Sequence, residues 1–389
     1  MGIKDKYAIV GLGATKQGKL PGMSLNNIRA QAARAAIKDA GLRAQDVNGY
    51  IYQVGVEEMG NSLFLPGDVP KRLGMRPNFI WHFECGGVTC IASLMSAAMA
   101  IEAGTADYVL CVYGSCDVSH MLAWATRAWT PMGWGTHGAF GMFVPGAIHA
   151  LSAQRHMYEY GTSHDHLGAI AVTHRENAQK RPDAMTCGRP LTLEGYHKSE
   201  WIVYPYHKFD MCLVNDGGIA FIVTSAERAK DLRSKPVYMM GVGFGQQVRE
   251  VYDKKNFTTL DVAPAKEAAF KMAGITLNDV DVFEFYDCFT GTVLFQTEDY
   301  GLCKKGEGGP YWEEGHAGLE SETPINTHGG NLSWGYCQGF GPVAEAVRQL
   351  RGEGGQTQVK DAETALASGH GTNTTGLMEY GHGTIILRR

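Results

Sequence analysis

The chain has 389 residues, 44% of them hydrophobic, and 35 Lys and Arg against 40 Asp and Glu give it a formal net charge of −5. That length suits a large core or two halves, while the acidic balance offers no general attraction to nucleic acid or an anionic membrane surface. Nine irregularly spaced cysteines without a C-x-x-C, and 14 histidines without an H-E-x-x-H, exclude a signalled disulfide framework or metal site, and together with the lack of a signal peptide they lead us to expect a metal-free cytoplasmic protein.

In chain order, Ile9-Val10-Gly11-Leu12-Gly13 reads as an apolar strand ending in Gly-x-Gly. Gly13-Ala14-Thr15-Lys16-Gln17-Gly18-Lys19-Leu20 nearly spells a phosphate-binding loop, but Leu20 stands where Mg²⁺ needs a Ser or Thr. The Gly-x-Gly turns also lack the full dinucleotide fingerprint, so neither nucleotide hydrolysis nor NAD chemistry is expected. A helix ending at Ala40-Gly41 leads to a second apolar strand, Tyr50 to Val54.

A third apolar run, Phe79-Ile80-Trp81, passes through Phe83-Glu84-Cys85-Gly86-Gly87 into a small-residue helix, Ile91 to Ala103. Helix N-termini carry unsatisfied N–H groups and partial positive charge, which favour a thiolate. Cys85 is therefore a candidate nucleophile, with Gly86 and Gly87 leaving space for an acyl group and for backbone donors. The alternative is a buried structural thiol. Residues of about 118–210 form an insertion rich in Trp, Met, His and Tyr; Trp124, Trp129, Met132, Trp134, Phe140 and Phe143 suit a lid or substrate wall, or ordinary core.

The next segments are Phe209-Asp210, then Asn215-Asp216-Gly217-Gly218 with the apolar run Ile219 to Ser225. The pattern of the N-terminus then returns. Met239-Met240-Gly241-Val242-Gly243 matches the first strand, and Ala268 to Val280 matches Ala35 to Val47 at seven of thirteen positions, Ala-Gly helix end included. A strand from Val282 to Tyr286 follows. A strand-helix-strand unit repeated at an offset of about 230 residues implies two α/β halves, 1–235 and 236–389, the first carrying the insertion.

On these residues the chain resembles the thiolase superfamily, specifically the branch of sterol-carrier-protein-like thiolases and lipid-transfer-protein-like aldolases. The resemblance covers essentially the whole chain and implies an α/β thiolase fold, duplicated and five-layered, α-β-α-β-α. Cys85-Gly86-Gly87 falls where thiolases carry the acyl-accepting cysteine. Tyr286-Asp287-Cys288-Phe289 matches a motif that usually begins with His or Asn, and Gly329-Gly330-Asn331-Leu332-Ser333-Trp334-Gly335-Tyr336 matches the loop where thiolases read Gly-His-Pro. The second thiolase cysteine is missing from Ala365-Leu366-Ala367-Ser368-Gly369-His370-Gly371. Aldolases of the branch carry the two tyrosines and generally lack the nucleophilic cysteine, so this chain combines features of both.

The resemblance implies three readings. The first is thiolysis of a bulky, aromatic 3-oxoacyl-CoA such as 2-benzoylsuccinyl-CoA, through an acyl-enzyme on Cys85, with coenzyme A as co-substrate. Tyr286 and Tyr336 then donate hydrogen bonds, and because a phenol of pKa near ~10 accepts protons poorly at neutral pH, His370, or failing that His328, is expected as the base. Gly86, Gly87, Gly330, Gly335, Trp134 and Phe140 are expected to line the substrate. The second is retro-aldol cleavage of a β-hydroxyacyl-CoA by Tyr286 and Tyr336, with Cys85 incidental. The third is a noncatalytic acyl-CoA or lipid-binding scaffold. The branch also implies a homodimer core bound to a small zinc-finger and OB-fold partner subunit in a two-plus-two assembly, any zinc belonging to that partner.

Overall fold

A computed structural model describes residues 2–54, 68–119, 145–245, 249–250, 255–372 and 378–389. The first half supplies strands β1 (Tyr7–Ala14), β2 (Gly49–Gln53), β3 (Phe79–Phe83), β4 (Tyr108–Cys116) and β5 (Asp216–Ser225). The second supplies β6 (Val237–Gly245), β7 (Val282–Glu284), β8 (Thr364–Thr372) and β9 (Met378–Arg388). Their order is β7-β8-β9-β6-β1-β5-β4-β2-β3, and a two-residue strand, Arg249–Glu250, pairs with β9.

The duplication is written into this topology. In the first half β1 pairs antiparallel with β5, β5 antiparallel with β4, and β4 parallel with β2. In the second, β6 pairs antiparallel with β9, β9 antiparallel with β8, and β8 parallel with β7. The two half-sheets join where β1 pairs antiparallel with β6, at Ala8↔Tyr238 and Ile9↔Val237.

Helices complete the layers. α1 (Leu25–Ala40) packs on β1 and β5, as α5 (Val262–Ala273) packs on β6 and β9. Each stops at a glycine in the left-handed region, Gly41 at φ 75° and Gly274 at φ 68°, which frees the chain to turn into the next strand. Between the half-sheets lie α2 (Thr89–Glu102) and α7 (Phe340–Arg351). One buried cluster joins Ile91, Leu94 and Ala98 of α2, Val343 and Val347 of α7, Phe221 of the first half and Leu387 of the second. The result is α-β-α-β-α, as expected from the sequence. The insertion contributes α3 (Pro145–Tyr160) and α4 (His164–Gln179), and α6 (Thr290–Asp299) follows β7. No helix among the described residues is long and apolar enough to cross a membrane.

The Gly-x-Gly pairs are not strand ends. They lie inside β1 and β6, where the outer helix rests directly on the strand. A Cβ at Gly13 would overlap the Ala32 carbonyl oxygen of α1, and one at Gly243 would overlap the Ala265 carbonyl oxygen of α5. Gly243→Ala forces a helix backbone to move, so the midpoint of urea unfolding should fall by the equivalent of about 1–3 kcal/mol. An unchanged midpoint would show that the helix-on-strand contact is looser than described.

Candidate active site

Three loops converge on two phenols. Tyr286 follows β7, Tyr336 closes the Gly329–Tyr336 loop, and their hydroxyls are 3.1 Å apart. Tyr286 is buried, whereas Tyr336 keeps an exposed edge. Burial pushes both phenols well above the usual tyrosine value, with Cys288 adding to the effect at Tyr286 and the Tyr286 phenol at Tyr336. Both are therefore neutral at physiological pH, each able to donate one proton and accept another.

The third loop is Cys85-Gly86-Gly87. Gly86 has φ 56°, and the Gly87 N–H donates to the His370 carbonyl at 3.1 Å. A Cβ at Gly87 would stand 2.5 Å from both the Tyr286 ring edge and the His370 oxygen. The loop position that faces Tyr286 is thus Gly87.

Cys85 stands two residues earlier in the loop. Its backbone N–H donates to Thr89 Oγ1 at 2.8 Å, and α2 begins only at Thr89. Burial pushes the Cys85 thiol up, and the adjacent Glu84 carboxyl pushes it the same way. Glu84 is fixed there by the Gly86 N–H and Gln53 Nε2, each at 3.0 Å. The surroundings favour thiol over thiolate, which corrects the expectation from the helix terminus: the dipole fades within a turn, and the near neighbour is an acid rather than a base.

His328 is buried with Nδ1 3.3 Å from Glu284 and its ring against Trp334. Thr327 Oγ1 donates to Glu284 at 2.7 Å and Arg181 binds Glu345 at 2.8 Å, so His328 belongs to a charge network beneath the loop. His370 lies buried on β8 with its ring edge-on to His149, centroids 5.8 Å apart, and its carbonyl serves the Gly87 loop.

The Tyr336 loop is held from two sides. Asn215 Oδ1 accepts the Tyr336 N–H at 2.6 Å, and Asn215 Nδ2 donates to Gln17 at 3.0 Å. The Asp287 carboxylate accepts the Asn331 and Leu332 N–H groups at 2.9 and 3.1 Å. Gly330, at φ 60°, must be glycine, because a Cβ there would overlap that carboxylate. Gly335 backs onto Gln17. These two glycines let the loop pack closely on Asp287 and Gln17. Trp134 and Phe140, like Trp124, Trp129, Met132 and Phe143, lie outside the described residues. Gln296 and Ser368, which bind the Tyr286 main chain, are functional residues that the sequence reading misses; the available signal is a glutamine in the buried helix α6.

Asp287 also gives the site a pH signature. Burial raises it from 3.8 to about 7 against the two N–H donors, while burial lowers the neighbouring His174 to about 4, so His174 stays neutral. At Asp287 the folded state holds more protons than the unfolded chain between about pH 4 and 7, so the contribution of this group to stability falls as pH rises through that window, while the lowered His174 contributes in the opposite sense. Asp210, raised to about 6 by burial, acts in the same direction as Asp287. In Asp287→Asn the change in urea midpoint from pH 4 to 7 should be more positive than in the wild type, because the falling contribution of Asp287 is gone. Identical slopes would remove Asp287 from this account.

Among the described residues no group of three His, Cys, Asp or Glu side chains forms a metal-ligand set.

Comparison with known proteins adds to this geometry. Residues 243–389 match the family model "Thiolase C-terminal domain-like". The chain is 32% identical to a steroid side-chain-cleaving aldolase of Thermomonospora curvata, over 95% of this chain and 97% of that one. It is 31% identical to a 17-hydroxy-3-oxo-4-pregnene-20-carboxyl-CoA lyase of Mycobacterium tuberculosis, over 97% and 99%. Identity to the benzoylsuccinyl-CoA thiolase subunit BbsB of Thauera aromatica is 28%, over 91% of each. Among solved structures, the Ltp2-ChsH2(DUF35) aldolase superposes with a TM-score of 0.86 at 30% identity, covering 100% of this chain and 99% of that one.

Proposed function

The chain belongs to the thiolase superfamily of CoA-ester enzymes, and from that premise we propose that it cleaves a β-hydroxyacyl-CoA by a retro-aldol reaction at Tyr286 and Tyr336. The observation that carries this reading is the neutral phenol pair, 3.1 Å apart and faced by Gly87. The expectation of thiolysis through Cys85 gives way to the alternative. Cys85 is held as a thiol beside Glu84, and two relatives above 30% identity are named as a side-chain-cleaving aldolase and a CoA-ester lyase.

The steps balance without an added base. As the Cα–Cβ bond breaks, the β-hydroxyl passes its proton to one phenol oxygen, that phenol passes its own proton to the second tyrosine, and the second tyrosine passes its own to the α-carbon. The β-carbon becomes a carbonyl, the α-carbon carries the new C–H bond, and each phenol ends with one proton as it began. Burial suits this relay, because no step leaves a separated charge in the site. No coenzyme A is consumed and no acyl-enzyme forms.

The names of the relatives support a bulky alicyclic substrate such as a steroid acyl-CoA over the aryl ketone. The pairing of Ltp2 with ChsH2 in the structural neighbour supports a multi-subunit assembly here. Our proposal retains a homodimer core with a small zinc-finger and OB-fold partner that holds the CoA ester.

Two probes test the function. With 17-hydroxy-3-oxo-4-pregnene-20-carboxyl-CoA, the protein and its co-purifying subunit should release a ketone and a shortened acyl-CoA at a rate independent of free CoA. With 2-benzoylsuccinyl-CoA, cleavage should be absent whether or not CoA is added. CoA-dependent cleavage of the second probe alone would overturn the retro-aldol reading.

A further inference from the structure

Tyr286 lies just past the end of a parallel ladder, where β7 stops at Glu284↔Ala367 and no strand remains to bind its main chain. Side chains do so instead. The Tyr286 N–H donates to Ser368 Oγ at 2.9 Å, Ser368 Oγ donates to Gln296 Oε1 at 2.5 Å, and Gln296 Nε2 donates back to the Tyr286 carbonyl at 2.7 Å. A second bond from Gln296 Nε2 to the Thr292 carbonyl, at 2.9 Å, ties the ring to α6.

We propose that Gln296 and Ser368 are positioning residues for the cleavage reaction, clamping Tyr286 in register with Tyr336. This rests on the assignment of Tyr286 to the proton relay. Both clamp residues are fully buried. A buried amide and hydroxyl bring desolvation costs that an apolar pair of similar volume would avoid, so their presence is accounted for by what they hold. They fix both polar groups of one main-chain residue, and with them the direction of the side chain. The Tyr286 ring has little latitude, because Gly87 lies against one edge and the Tyr336 hydroxyl is 3.1 Å from its own. A relay through two phenols fails steeply with separation, and a misplacement of ~1 Å costs on the order of 10²-fold in rate.

The test compares Gln296→Leu, Gln296→Glu, Ser368→Ala and Tyr286→Phe in the full chain, purified with any associated subunit. The probe is 17-hydroxy-3-oxo-4-pregnene-20-carboxyl-CoA. Gln296→Leu and Ser368→Ala should lower kcat by about 10–10²-fold with KM changed by less than about threefold, in protein whose circular dichroism is that of the wild type. Gln296→Glu should be rescued by acid. Its protonated carboxyl can replace the amide donor, so its rate relative to wild type should fall as pH rises. Independently of turnover, the ¹³Cζ resonance of labelled Tyr286 should shift in Gln296→Leu.

If Tyr286→Phe is inactive while Gln296→Leu keeps wild-type kcat and an unshifted resonance, the clamp is overturned and the tyrosine assignment stands. Wild-type activity in Tyr286→Phe instead overturns the assignment on which the clamp depends.

Discussion

Tyr336→Phe should lower kcat for retro-aldol cleavage by about 10²–10³-fold, the loss typical of removing a positioned proton donor or acceptor. A phenyl ring keeps the shape of the side chain and the packing around it, but it breaks a relay in which each hydroxyl gives one proton and takes another. The loss should fall on kcat, because the hydroxyl matters most while the β-hydroxyl proton is in transit. Tyr286→Phe should behave alike, and the double variant should lose little more than either single one, since the pair acts as a unit. Steady-state kinetics on the four proteins measures this. Additive losses would mean two independent donors, and a rate within about threefold of wild type for either single variant would remove that tyrosine from the chemistry.

The second large effect is expected at Gly87. Any side chain there must displace the Tyr286 ring or the His370 carbonyl, both at 2.5 Å from its Cβ. Overpacking of this kind costs about 1–3 kcal/mol, and here the atoms that must move belong to the reacting pair. Gly87→Ala should therefore lose about 10²-fold or more in kcat while its thermal transition shifts by only a few degrees. Gly87→Cys places a thiol against Tyr286 and should lose retro-aldol activity as well. A Gly87→Ala enzyme with unchanged kcat would mean that Tyr286 works in a different position.

Local pattern carried the fold. The repeated Ala-Gly helix ends are the positive-φ stops Gly41 and Gly274, and the repeated strands pair in the same order and sense in both halves. The Gly-x-Gly pairs lie within the strands and not at their ends, a difference that local pattern does not reveal because glycine ends a strand as readily as it admits a helix against one. Only the structure shows Ala32 and Ala265 at those sites.

The site was legible by resemblance more than by spacing. Tyr286 and Tyr336 are 50 residues apart, and nothing local brings their hydroxyls together. Cys85 drew attention as the reactive residue type near a helix start. Which residue of that turn faces the site depends on where the helix begins, and Thr89 fixes that by taking the Cys85 N–H, leaving Gly87 toward Tyr286. His328 looked available because its partner Glu284 lies 44 residues away in sequence. The ring of Tyr286, Gln296 and Ser368 spans 82 residues and leaves no periodic trace.

The most direct measurement is the turnover of 17-hydroxy-3-oxo-4-pregnene-20-carboxyl-CoA by Cys85→Ala in the absence of free CoA, with the intact mass of the wild-type protein followed in parallel. The account predicts ketone release within about threefold of the wild-type rate and no acyl adduct on the wild-type chain. An inactive Cys85→Ala that remains folded, together with an acyl group on Cys85 that only added CoA removes, would contradict it.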